Sequence, residues 1–212
     1  MKSIKVRVTT FEPMLGTSAS DPDIHATYIA SKSEDKTKAI EEVGAVINGD
    51  VENEDGEFES RPITVFPRME DGRPLIWDYQ FKGFMKDTCK ALKKVTGTKS
   101  SACKNYKQEI DSLIFVFPRQ IEIKTSEPIG HLSRPLRAQT PMGERCAIAD
   151  SECIAPGAVM EFEIRTFVDA DMAMVKEWLD YGQFRGLLQW RNSGMGRFHY
   201  EILEESKGNW DD

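Results

Sequence analysis

The residues best suited to chemistry lie near the C-terminus, in Gly182-Gln183-Phe184-Arg185-Gly186-Leu187-Leu188-Gln189-Trp190-Arg191-Asn192-Ser193-Gly194-Met195-Gly196-Arg197-Phe198. Glycine recurs where a backbone must turn tightly or approach another segment closely. Arg185, Arg191 and Arg197 stand among the glycines, with Asn192 and Ser193 between them. A guanidinium is a forked donor that matches phosphate oxygens. The stretch predicts a tight loop between a helix and a strand that receives an anion. A glycine-rich connection with solvated arginines is the competing reading, because motif matches carry false positives.

Two other segments carry positive charge. Residues 82 to 107 hold eight lysines against the single acid Asp87, a local net of +7. Lys82, Lys86 and Lys90 recur at four-residue spacing, which sets them on one helical face. That face either serves a polyanion or is simply solvated and paired. Residues 125 to 145 contain Pro128, Gly130, Pro135, Pro141 and Gly143, so an extended loop is predicted there. Arg134, Arg137 and Arg145 lie in it beside small polar residues, a mixture suited to phosphate and sugar contacts or to plain solvation.

Covalent and metal chemistry find little footing. Cys89, Cys103, Cys146 and Cys153 form no C-x-x-C pair and no zinc-binding spacing. The polar run at 96 to 101 is not a P-loop. His25, His131 and His199 stand in no acid–base constellation. No catalytic residue, metal or cofactor is therefore assigned, and ribonuclease activity is the minority reading.

The elements that must position these residues follow from periodicity. Ile4, Val6 and Val8 alternate with Lys5 and Arg7 as in a half-buried strand. Helices are predicted from Ser20-Asp21-Pro22-Asp23 onward and over about 34 to 47. A strand at 63 to 66, an Asp71-Gly72 turn and a return strand at 75 to 77 read as a hairpin. Phe81, Phe84, Met85, Thr88 and Leu92 follow helical spacing. The apolar run 113 to 117 predicts a central strand. Residues 159 to 166 alternate as a strand, 169 to 181 form a helix begun by Asp169 or Asp171, and Phe198, Tyr200 and Ile202 begin the last strand. The order implies an α+β fold, a largely antiparallel ferredoxin-like or RRM-like sheet with helices on one face and long inserted loops.

The whole chain has 212 residues and a net charge of −7. This opposes indiscriminate coating of nucleic acid and leaves room for a local basic groove. No apolar run reaches the length of a membrane span, and the alternating N-terminus offers no signal core, so a cytoplasmic protein is expected. Residues 33 to 60 hold ten acids against Lys36 and Lys38, a net of −8. That run is either a self-repelling loop or a surface for a basic partner.

Several stretches, in order, resemble the RAMP superfamily, whose backbone subunits hold guide RNA in CRISPR effector complexes. They are the first strand with Glu12-Pro13-Met14-Leu15-Gly16-Thr17, then Ile76 to Lys86 with its Lys82-Gly83 pair, then Arg137 to Arg145 with Cys146 to Ile164, and finally Gly186 to Phe198. The resemblance implies one domain over 1–203, with an acidic insertion at 48–60, a basic loop region at 124–146, and an acidic tail at 204–212. It implies that the glycine loop and a helix opening at Lys82-Gly83 lie together and touch RNA backbone. The implied RNA-binding set is Lys82, Gly83, Lys86, Lys90, Arg134, Arg137, Arg145, Arg185, Arg191, Asn192, Ser193, Gly194, Gly196 and Arg197, with Tyr79, Phe81 or Trp190 as stacking candidates. Single-stranded, guide-like RNA, subunits of a ribonucleoprotein complex and further copies in a homo-oligomer or filament are the implied partners. Relatives that cut RNA use an aspartate near the position of Asp21 and Asp23, but no motif here carries that role over. A stand-alone protein-interaction or anti-defence module of a phage or mobile element is the alternative.

Overall fold

Ile4, Val6 and Val8 are fully buried while Lys5 between them is exposed. This two-residue period makes β1 (Lys2–Thr10) the strand on which the rest assembles. The computed structural model describes residues 1–19, 63–140 and 143–207, and the side chains of 19, 63, 136–140 and 143–147 are outside the description. The helices expected from 20 to 47, the acidic insertion, Asp21, Asp23 and His25 also lie outside it.

Nine of the remaining strands follow in chain order: β2 (Met14–Leu15), β3 (Ser18–Ala19), β4 (Ile63–Val65), β5 (Leu75–Trp77), β6 (Ile114–Phe117), β7 (Gln120–Glu122), β8 (Gly130–Thr140), β9 (Gly143–Ile154) and β10 (Val159–Thr166). The last is β11 (Phe198–Lys207). Described helices are α1 (Asp78–Leu92), α2 (Tyr106–Leu113) and α3 (Asp169–Tyr181). The main sheet has the order β11-β1-β10-β6, and every neighbouring pair is antiparallel. The units β1–α1–β6 and β10–α3–β11 interleave in it, which is the ferredoxin-like α+β arrangement.

One face of this sheet meets the helices. Phe81 of α1 lies against Phe162 of β10, ring centroids 4.1 Å apart. Phe84 meets Phe198 edge-on at 5.3 Å. Trp178 of α3 is fully buried and donates its Nε1 hydrogen to Ser100 Oγ at 2.8 Å. The other face carries charge in pairs. Arg7 Nε lies 2.8 Å from Glu161, and Arg165 Nε 2.8 Å from Glu163. The neighbouring guanidinium holds each of those carboxyls below its usual range.

Four sequence expectations are corrected. The extended loop expected over 125 to 145 is, from Gly130 on, part of a long hairpin, β8 with β9, paired from Gly130↔Cys153 to Thr140↔Gly143. Arg137 and Arg145 stand within those strands. The strand at 114 to 117 is an edge strand, not a central one, because β1 and β10 carry the deeper apolar rows. The Asp71-Gly72 turn forms, with Gly72 at φ +85°, yet β5 pairs with β7 and not with β4. Strand β11 runs to Lys207, so the tail does not begin at 204.

Cys89 and Cys103 are buried and Cys153 half-buried, all as free thiols. Among the described residues no helix is long and apolar enough to cross a membrane.

Phe81→Ala is expected to cost about 3–5 kcal/mol in urea unfolding, the penalty for emptying a packed aromatic site. A loss below about 1 kcal/mol would contradict this core. Asp171 gives a pH test. It is 8% exposed, and its Oδ2 finds no partner among the described residues. Burial, and then Glu109, push its carboxyl up. A folded pKa above the unfolded one means the ionised form opposes folding. The penalty is absent below the unfolded pKa and grows as pH rises through the carboxylate range. Asp171→Asn should therefore raise Tm at neutral pH, with the gain vanishing below about pH 4.

Candidate nucleic-acid interface

The loop between α3 and β11 is pinned by backbone contacts that only glycine permits. A β-carbon on Gly182 would lie 2.2 Å from the Phe198 ring, and one on Gly186 1.8 Å from Met195 O. The two limbs of the loop thus touch backbone to backbone. Leu187 N donates to Gly196 O at 3.0 Å and Gly196 N to Pro13 O at 2.7 Å. Phe11 N donates to Arg197 O at 3.0 Å. The loop is therefore clamped onto the segment that leaves β1. Gly194 and Gly196 take left-handed φ of +91° and +69°, which a β-carbon opposes. Leu188 and Trp190 adopt φ of +61° and +60° without being glycine. That costs about 1–3 kcal/mol each and persists only where the surroundings enforce it.

Asp87 of α1 supplies part of that enforcement. Arg185 Nε donates to Asp87 Oδ2, and Arg191 Nε lies 3.1 Å from the same oxygen. Gln189 reaches the hairpin root, where its Oε1 accepts from Ser151 Oγ at 2.9 Å and Thr64 Oγ1 at 3.4 Å. The guanidinium of Arg134 in β8 stacks on Trp190, 4.1 Å from the ring centroid. Arg134 is only 4% exposed, and burial pushes its pKa down. Its Nε and Nη1, and Nε of Arg197, have no hydrogen-bond partner among the described residues. Asn192 and Ser193 are exposed on a short 3₁₀ turn at the loop tip.

The structure thus brings Arg134, Arg185, Arg191, Asn192, Ser193, Gly194, Gly196 and Arg197 into one region. It sends the helix lysines elsewhere. Lys86 Nζ pairs with Asp111 at 2.5 Å, and Lys82 Nζ donates to Asp111 O at 3.3 Å while lying over the Phe115 ring. Burial lowers the Lys82 pKa. Lys90 is exposed near the end of α1. The expectation that a helix opens at Lys82-Gly83 is overturned: α1 begins at Asp78, and Trp77 N donates to Gln80 Oε1 at 2.8 Å. Gly83 is inside the helix, so its amide serves the helical ladder rather than a ligand. The contact between α1 and the loop exists, but Asp87 and Phe84 make it. Of the stacking candidates, Phe81 is core, Tyr79 stacks on Trp77 at 6.3 Å, and one face of Trp190 is covered by Arg134.

Asp87, Gln189 and the Arg134–Trp190 stack were missed as parts of one site. A signal existed for the first, since Asp87 is the sole acid among eight lysines between 82 and 107.

No family model matches this chain, and no curated protein matches it. Among solved structures it is similar to a chain in the cryo-EM structure of the Type III-B Cmr-beta bound to cognate target RNA. The TM-score is 0.50 at 12% identity, covering 97% of this chain and 60% of that one. At that identity the likeness is one of fold. This chain spans 60% of its neighbour's length.

Gly186→Ala tests the loop. It forces the limbs apart, with an expected cost of about 1–3 kcal/mol and faster amide exchange from 187 to 197. An unchanged Tm and exchange pattern would refute the backbone contact.

Proposed function

We propose that this chain binds single-stranded RNA through its backbone, as a non-catalytic subunit of the RAMP type. One observation carries the reading: four guanidinium groups, Arg134, Arg185, Arg191 and Arg197, gather at the glycine loop, and among the described residues only Asp87 pairs with any of them. Such an excess of positive charge at a rigid backbone suits phosphates. The likeness of fold to a chain from an RNA-bound complex supports it. The exposed Asn192 and Ser193 extend the surface to the loop tip, and Arg137 and Arg145 belong to the adjoining hairpin strands. The lysines of α1 contribute less, because Asp111 already neutralises Lys86.

A protein-interaction role on the same fold, including the anti-defence variant, is the second reading. The exposed Phe184 at 65%, with Ile202 and Leu203, favours it. Capture of partner subunits that survives nuclease treatment would select it.

Fluorescence anisotropy with a labelled single-stranded RNA decides the first reading. Binding should weaken steeply with salt, each phosphate contact adding about 0.7 to the log–log slope. Arg191→Gln should lower that slope by about 0.7 for all sequences, and Lys86→Gln should change it less. Absence of affinity for any RNA at low salt would end the proposal.

A further inference from the structure

We propose that Arg134 and Trp190 form a seat for one phosphate group, built at the junction of the β8–β9 hairpin and the glycine loop. The seat rests on the RNA-binding reading for its natural occupant, though not for its chemistry. That chemistry is a tetrahedral oxyanion held by a buried guanidinium fork.

The starting point is an unmatched charge. Arg134 is 4% exposed, yet its Nε and Nη1 find no acceptor among the described residues. A buried cation with unfilled donors is costly to the fold unless something anionic joins it. Among the described residues, the carboxylates of the hairpin and of α1 are turned away or taken. Asp150 stands opposite Ser133 in the ladder and accepts its hydroxyl hydrogen. Glu152 stands opposite His131 and is held by Phe66 N and Arg68. Strand alternation puts 131, 133, 150 and 152 on one side of the hairpin and Arg134 on the other. Asp87 is engaged by Arg185 and Arg191.

The second observation is how Trp190 is presented. Its backbone sits at φ +60°, and that strained turn holds the indole 4.1 Å from the Arg134 guanidinium. The ring covers one face of the cation, and its Nε edge is shut from solvent, so an anion reaches that edge only by parting the loop from the hairpin. A stacked guanidinium also has few orientations left to lose on binding. On the same side of the hairpin, Thr64 Oγ1 donates to Ser151 Oγ, which donates in turn to Gln189 Oε1. This fixes the loop without neutralising Arg134. The unpartnered Nε of Arg197 belongs to the same loop, its guanidinium lying against Gly194. An anion that accepts from the Nε edge of Arg134 would tie the hairpin to the loop, so occupancy and local rigidity rise together.

The test uses the full chain and three ligands: inorganic phosphate against chloride at equal ionic strength, a nucleoside monophosphate, and a single-stranded RNA oligomer. Phosphate should raise Tm where chloride does not. Arg134→Met should melt higher than wild type without ligand, lose the phosphate-specific shift, and bind RNA about tenfold or more weakly. Arg134→Lys, keeping charge without the fork, should recover only part of both responses. A phosphate shift that Arg134→Met abolishes, with no RNA binding by wild type, would uphold the seat while ending the RNA reading. A response to the mononucleotide and not to RNA would assign the seat to a free phosphate ester. The seat itself is overturned if wild type shows no phosphate-specific stabilisation. It is also overturned if Arg134→Met lowers Tm and leaves both ligand responses intact, which would make Arg134 a packing residue.

Discussion

The burial of β1 between β10 and β11 is the constraint on which the rest depends. Its register runs from Lys2↔Thr166 to Thr9↔Val159 on one side and from Lys2↔Lys207 to Thr10↔Phe198 on the other. A one-residue slip would turn Ile4, Val6 and Val8 to the charged face and Lys5 and Arg7 into the core. The same register sets where the strand ends, and therefore where Phe11 and Pro13 meet the backbone of Arg197 and Gly196. The glycine loop is held in place by the strand that organises the core.

Charge is distributed by a second logic. The open sheet face pairs Arg7 and Arg165 with Glu161 and Glu163, and α1 gives Lys86 to Asp111. Exposed pairs of this kind stabilise little, but each cancels its own charge. The loop region differs: among the described residues Asp87 alone serves two arginines there, and Arg134 and Arg197 keep unfilled donors. A chain with net charge −7 thereby holds unmatched positive charge at a rigid place. For an acidic protein, location of charge matters more than its sum.

Rigidity at that place has a cost and a cause. Two non-glycine residues sit at positive φ, and two glycines allow backbone contacts that no other residue would. Phe84 against Phe198, Asp87 against two arginines and Gln189 against Ser151 together over-determine the turn. Strain of this kind is characteristic of sites where backbone groups must be preorganised.

The α+β order, β1, β10, α3 and the existence of the glycine loop were legible in the sequence, because they follow from two- and 3.6-residue periods and from glycine placement within short windows. Local pattern failed where partners are distant. Residues 125 to 145 read as a loop from their prolines and glycines, yet ladder pairing draws those from Gly130 on into a hairpin. The run 113 to 117 read as central from its apolarity, yet its strand is an edge. The lysines of α1 were visible as a charged face, but only packing decided that Asp111 would receive Lys86 and, through its carbonyl, Lys82. Arg134 shows the difference most plainly. Its charge was evident from the sequence, while its burial and its stack on Trp190 required strands and loops separated by more than fifty residues to meet. Side-chain type is a local property, whereas desolvation and pairing belong to the assembled fold.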